Sequence, residues 1–214
     1  MPYRPQKEKT NNGKLDGPPP WLGFQDAKIL SFEDMSSNYE WADVYLIVEI
    51  KTRNSEYSNK LRITGSFDKE DGVIQDSSLL RKLYSLFDAL SFGGGINKEG
   101  AWVNKVDEPI TDIATFLNNN YTDTTGAEIY PFTVYVYKTE VTNKNTGEKN
   151  VYTRVDSRIA RSDNPKGVAD LKSYIEWAKK NEVIVEYNEK DDLDFLKNAV
   201  EESKQSSHSP SIRA

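Results

Sequence analysis

Cysteine is absent from the 214 residues. That excludes disulfides, thiolate nucleophiles and cysteine-ligated zinc, and nothing in the chain points to an oxidising compartment. Histidine occurs once, as His208 in the run SSHSPS near the end of the chain. A single tail histidine supplies neither a Ser-His-Asp set nor a His-rich metal site. No apolar run approaches the ~20 residues of a membrane-spanning helix, and MPYRPQKEKT lacks the apolar core of a signal peptide. The expectation is a soluble protein of the cytoplasm with no membrane contact. Positive charge is also short, because the formal net charge is −6. Such a chain does not coat duplex DNA by bulk charge, although a local basic patch stays open.

What is present is enough apolar residue for a core, 36%, beneath a very polar surface with 29% charged residues. Residues 1–20 are rich in Lys, Asn, Gly and Pro and close on Pro18-Pro19-Pro20, which reads as a disordered arm. Trp21, Leu22 and Phe24 are the first anchors for a core, and the domain is expected over 21–188. From 189 the chain turns polar again, and 189–214 reads as a tail that opens on a short helix and ends disordered.

Between the tails the periodicity is mostly two. WADVYLIVEIKTR sets Val44, Leu46, Val48 and Ile50 against Tyr45, Ile47, Glu49, Lys51 and Arg53. KLRITGSF sends Leu61, Ile63 and Phe67 inward and Lys60 and Arg62 outward, with Gly65 marking a bulge or bend. These two runs form one hairpin. A second is YPFTVYVYKTEVTNKNTGEKNVYTRVDSRIA, with a turn at Asn145-Thr146-Gly147. Its core side holds Phe132, Val134, Val136, Val151, Val155 and Ile159. Its other side collects Tyr135, Tyr137, Tyr152, Arg154 and Arg158. Leu79, Leu83, Leu86 and Leu90 fall at helical spacing, with Asp76 or Ser77 as N-cap and Gly93 as stop. Shorter helices are expected in PITDIATFLNNNY and LKSYIEWAKKN, a short strand in EGAWVNKV, and a strand or extended element in EVIVEY. The fold class is mainly β with helices, α+β. Hairpin, helix, short strand, hairpin is the order of a single antiparallel OB-like barrel with flanking helices and disordered termini, and a different α+β sandwich gives it too.

Charge is segregated along the chain. Residues 130–161 carry six positive and three negative side chains, net +3, which leaves −9 for the rest. Bases stack on aromatic faces while Lys and Arg track phosphates, so a basic, tyrosine-bearing sheet face suits a single strand of nucleic acid. Ordinary cross-strand pairing on a sheet surface accounts for the same residues. The runs ADVYLIVEIKTRNSEYSNKLRITGSF, LLRKLYSLFDAL and YPFTVYVYKTEVTNKNTGEKNVYTRV together resemble the small single-stranded DNA-binding proteins of bacteriophages, which have the OB fold. The resemblance covers about residues 21–160 and lies in the order of elements.

It implies a non-enzymatic, sequence-nonspecific protein of phage DNA replication, recombination or repair in the host cytoplasm, with single-stranded DNA as partner and no cofactor. Tyr135, Tyr137 and Tyr152 would stack bases, Arg154, Arg158, Lys51, Arg53 and Arg62 would meet phosphates, and Lys144 and Lys149 would close over the strand. The family's acidic tail recruits replication proteins, and the nearest equivalent is EKDDLDFL, with Asp191, Asp192 and Asp194 around Phe195.

Two other classes compete. A virion or scaffold protein would use the same Tyr-rich face for protein partners. Asp43, Glu49 and Lys51 share one strand parity, and E-x-K after an Asp resembles the PD-(D/E)xK nucleases that use Mg²⁺. GGGINKEG lacks the spacing and position of a phosphate loop and reads as a flexible helix exit. Trp41, Trp102 and Trp177 read as core or rim residues.

Overall fold

The period-two runs are strands in the computed structural model, which describes residues 21–122 and 127–187. In chain order the elements are β1 (Gly23–Asp34), β2 (Val44–Thr52), β3 (Ser58–Gly65), β4 (Lys69–Glu70), β5 (Val73–Ile74) and α1 (Ser78–Leu90). They continue as β6 (Gly95–Ile96), β7 (Trp102–Val103), α2 (Ile113–Tyr121), β8 (Phe132–Thr142), β9 (Lys149–Arg161) and α3 (Pro165–Lys180). The arm over 1–20 and the tail over 189–214, with Asp191, Asp192, Asp194 and Phe195, lie outside the described residues.

The fold is α+β, with a five-stranded antiparallel sheet in the order β3-β2-β1-β8-β9. At its centre lies β1, a strand that the alternation did not reveal. Its first half, Gly23–Ala27, pairs with β8, and its second half pairs with β2 as far as Asp34. An irregularity between Ile29 and Ser31 shifts its phase, so Ala27 and Ile29 point inward before it and Phe32 after it. Beyond Ala27 β8 no longer covers β1, and the Asn118 side chain of α2 fills the gap. Its amide accepts the N–H of Phe32 and donates to the Phe32 carbonyl, both at 2.8 Å. The two outermost strands, β3 and β9, approach each other. Three intervening strands and four antiparallel pairings make them run parallel, so the sheet is strongly curled.

Inside the curl Val44, Leu46, Val48, Ile50, Leu61 and Ile63 meet Phe132, Val134, Val136, Val155 and Ile159. α1 closes the core with Leu79, Leu80, Leu83, Leu86 and Leu90. Each branched side chain so buried contributes roughly 1.5–3 kcal/mol relative to exposure. The N-cap of α1 is Ser77, whose hydroxyl accepts from the Leu80 N–H. The helix stops at Ser91, in the left-handed region at φ 53°, two residues before the expected Gly93. Ser85 ties α1 to β9, its hydroxyl donating to the Ile159 carbonyl at 2.9 Å and accepting the Ile159 N–H at 3.2 Å.

The glycine run after α1 is an ordered hairpin, β6–β7, rather than a flexible exit. A Cβ on Gly94 would lie 2.2 Å from the Val103 carbonyl oxygen, so only glycine fits there. Gly65 ends β3 in register with Val44 and makes no bulge. EVIVEY forms no strand: residues 182–184 turn back on the end of α3, where the Val183 and Ile184 N–H groups donate to the Ala178 carbonyl, and the Tyr187 N–H then reaches the Lys138 carbonyl of β8. No helix among the described residues is long and apolar enough to cross a membrane.

Candidate nucleic-acid interface

The outer side of the β8–β9 hairpin is not the open platform expected from its tyrosines. α3 starts at an Asn164 cap whose side chain accepts the Gly167 N–H, with Pro165 in the first turn. Its stripe of Leu171, Ile175 and Ala178, joined by Ile184, packs on Tyr135 and Ala160. Tyr135 is left 5% exposed. Its phenol donates to the Glu186 carboxylate, which Lys179 reaches at 3.0 Å, and the Lys179 ammonium lies 4.7 Å from its ring centre. Burial pushes the Tyr135 phenol above its ordinary value, with Glu186 adding to the shift. A base cannot stack on this ring, so the expected role of Tyr135 is corrected: it belongs to a second core. Tyr137, stacked at 6.2 Å on Tyr135, is half-buried in the same layer.

Arg158 is also engaged. Its guanidinium sits 3.5 Å from the centre of the Tyr174 ring on α3, and its Nε is buried with no hydrogen-bond partner. It cannot reach out to a phosphate as expected. The cause is a bulge: Val134 pairs with Ile159 and Val136 with Val155, so Asp156, Ser157 and Arg158 together face Tyr135. Two extra residues keep the parity, which is why Val155 and Ile159 still both point inward.

Other predicted residues converge at the seam where β3 meets β9. Lys60 and Arg62 of β3, Tyr137 of β8, and Arg154, Asp156 and Ser157 of β9 line a cleft of about 170 Å³. The three cations are exposed, and none of them has an ion pair among the described residues. Asp156, at the cleft floor, is 7% exposed and accepts the Arg158 N–H at 2.8 Å. Burial pushes its carboxyl above the ordinary aspartate value, against the hydrogen bond and the Arg158 charge that pull it down. A carboxyl with a raised folded pKa stabilises the fold below its unfolded value, and that contribution is lost as pH rises through the folded value. Asp156→Asn is therefore expected to raise the melting temperature more at pH 8 than at pH 4. Melts at the two pH values check this, and an equal shift at both would refute it.

An aromatic cluster that sequence reasoning missed stands beside the cleft. Tyr39 and Tyr45 are stacked at 4.5 Å and 18°, and Trp41 meets Tyr45 at 6.0 Å. Trp41 is 58% exposed, neither core nor rim. The β1–β2 connection holds the cluster in place: Met35 N–H donates to the Tyr45 carbonyl at 2.8 Å, and Tyr45 N–H donates to the Ser36 hydroxyl at 2.9 Å. Tyr45 pairs with Thr64 and Ile47 with Arg62, which sets the cluster about 7 Å along the sheet from Arg62. The available signal was the spacing in YEWADVY, three rings at 39, 41 and 45 just where a strand begins.

No family model, no curated protein and no solved structure matches this chain. The site is therefore read from its own chemistry.

The remaining predicted residues lie elsewhere. Tyr152 is exposed on the outer part of the hairpin, and Lys144 is exposed in its loop. Lys149 pairs with Glu140 at 2.9 Å. Lys51 sits opposite Lys28, and Arg53 lies 3.5 Å from Asp26 and 5.2 Å from the Tyr130 ring. That basic end of β2 is about 13 Å along the strand from the Ile47–Arg62 pair. The nuclease constellation does not assemble. Asp43 and Glu49 are six residues apart on one extended segment, about 20 Å, too far to share an ion. Asp43 accepts the Phe67 N–H, and Glu49 is held ionised, below its ordinary value, chiefly by the Ser58 hydroxyl at 2.6 Å.

Proposed function

We propose that the protein binds single-stranded DNA without sequence preference, as a non-enzymatic component of phage-like DNA replication, recombination or repair. The observation that carries this reading is the placement of exposed Tyr39 and Trp41 and half-buried Tyr45, with Tyr39 stacked on Tyr45 and Trp41 edge-on to it, beside Lys60, Arg62 and Arg154, which have no ion pair among the described residues. Rings offer π-faces to any unpaired base, and the cations meet the phosphates between bases. A duplex keeps its bases stacked internally, so it gains only the charge contacts and meets a chain of net −6.

An OB-type Greek-key barrel is the architecture we assign to the sheet. Three features support it: the order β3-β2-β1-β8-β9 with its end strands approaching, a long β1 shared between two partners, and α1 between β3 and β8. The proposed strand path crosses β2, β3 and the β3–β9 seam instead of the β8–β9 face. Tyr152 and the loop lysine Lys144 extend it along the outer hairpin. Recruitment of replication proteins through Asp191, Asp192, Asp194 and Phe195, and action in the host cytoplasm, remain parts of the same proposal. A virion or scaffold role rested on the Tyr135 face, which α3 occupies.

The test is a fluorescence titration with oligo-dT of about 30 nucleotides beside a matched duplex, across a salt series. Quenching by the single strand alone is expected, with log K falling against log salt at a slope of about −2 for the three cations at the seam. Equal binding of the duplex, or no response to either, would overturn the proposal.

A further inference from the structure

We infer that α3 carries a second stacking platform, on which Trp177 receives a nucleobase of the strand whose phosphates lie at Arg62 and Arg154. This rests on the single-strand reading above and extends its path over the helix that covers Tyr135.

A continuous chain of contacts leads from the cleft to Trp177. Asp156 at the cleft accepts the N–H of Arg158. The Arg158 guanidinium lies against Tyr174, and Tyr174 stacks on Trp177 with ring centres 6.0 Å apart at 29°. The ladder of cation, ring and ring is thus built inward from Trp177 and fixed at its base by β9. Its outer end is open, because Trp177 is 54% exposed.

Core packing does not account for that indole. The buried stripe of α3 is Leu171, Ile175 and Ala178, and Trp177 lies roughly 120° or 200° round the helix from the first two. A large aromatic left outside the stripe has Tyr174, three residues earlier, as its neighbour on the helix. A pre-stacked ring loses little freedom when it takes on a base, which favours binding. The setting has the sign a nucleic acid requires, since α3 carries Lys166, Lys172 and Lys180, besides the Lys179 that pairs with Glu186, against Asp170 and Glu176. Continuity with a basic cleft makes a base of the same strand the occupant, in preference to an apolar protein surface.

The experiment uses the full chain and fluorescein-labelled oligo-dT of about 30 nucleotides, followed by anisotropy in about 50 mM salt. Trp177→Ala is expected to raise Kd by roughly five- to a hundredfold, the range of one lost base stack, and to leave the salt slope unchanged. Trp177→Phe should restore most of the affinity. Both variants should melt with the wild type, because the residue lies off the buried stripe. A Trp177→Ala Kd within about twofold of wild type would overturn the platform while leaving the single-strand reading in place. Failure of the wild type to bind oligo-dT would overturn both.

Discussion

Replacing Arg62 and Arg154 together with alanine is expected to lower affinity for oligo-dT roughly a hundred- to ten-thousandfold at low salt. Each guanidinium enters the cleft from a different strand, one from β3 and one from β9, and neither has a carboxylate partner among the described residues. A hydrogen bond to a charged group is worth about 1.5–3 kcal/mol, so two lost phosphate contacts amount to about 3–6 kcal/mol. The salt dependence moves with them: the slope of log K against log salt should become shallower by about 1.4, or 0.7 for each phosphate. Stability should hardly change, since exposed and unpaired side chains are usually within about 0.5 kcal/mol of neutral on substitution.

The informative control is Lys51→Ala with Arg53→Ala. Those two residues belong to the other end of β2, and Arg53 already has Asp26 and Tyr130 for company. The seam pair should weaken binding far more than this pair. Equal losses would place the strand along β2 instead of across the seam, and no loss from the seam pair would end the proposed path.

Strands with one apolar face were legible because burial writes a period of two. Val44 to Ile50, Leu61 with Ile63, and Phe132 to Val136 all point where their alternation says. β1 was not legible. Its inward set is Gln25, Ala27, Ile29 and Phe32, which begins with a polar residue, includes a small one and changes phase at the irregularity after Ile29. Gln25 tolerates burial because its amide donates to the Leu22 carbonyl and accepts from Asn54, contacts no local pattern announces.

The site divides in the same way. That Lys60, Arg62 and Arg154 project outward follows from parity. That they converge depends on β3 approaching β9, a pairing of distant segments. Tyr135 shows the opposite limit: parity places it outside the curled sheet, yet that outside is covered by α3. The apolar stripe of α3 was readable in LKSYIEWAKK, but the surface it would cover was not. A hairpin in such a setting buries both its faces, and only the tertiary partner tells which outer residues stay wet.

Tyr135→Ala should therefore unfold the protein more readily instead of disarming it. Removing a buried aromatic side chain costs about 3–5 kcal/mol through lost transfer energy and the cavity left behind. Here the cavity would open between Phe24, Ala160, Leu171 and Ile175, and Glu186 would keep only Lys179. For a domain of this size that corresponds to a melting temperature lower by about 6–20 °C. Tyr135→Phe keeps the packing and loses one hydrogen bond to a carboxylate, about 1.5–3 kcal/mol. The Phe variant also separates a pH effect. A phenol whose folded pKa is raised stabilises the fold below its ordinary value near 10 and loses that contribution as pH climbs further. Part of the alkaline loss of stability should vanish in Tyr135→Phe, while Tyr121, Tyr137 and Tyr174, which burial shifts the same way, keep contributing to it. Oligo-dT affinity, measured well below the melting point, should stay within about twofold of wild type in both variants. A base-stacking tyrosine would produce the reverse, an Ala variant that melts normally and binds weakly. Melting and titration of one variant thus decide whether the β8–β9 face is core or interface.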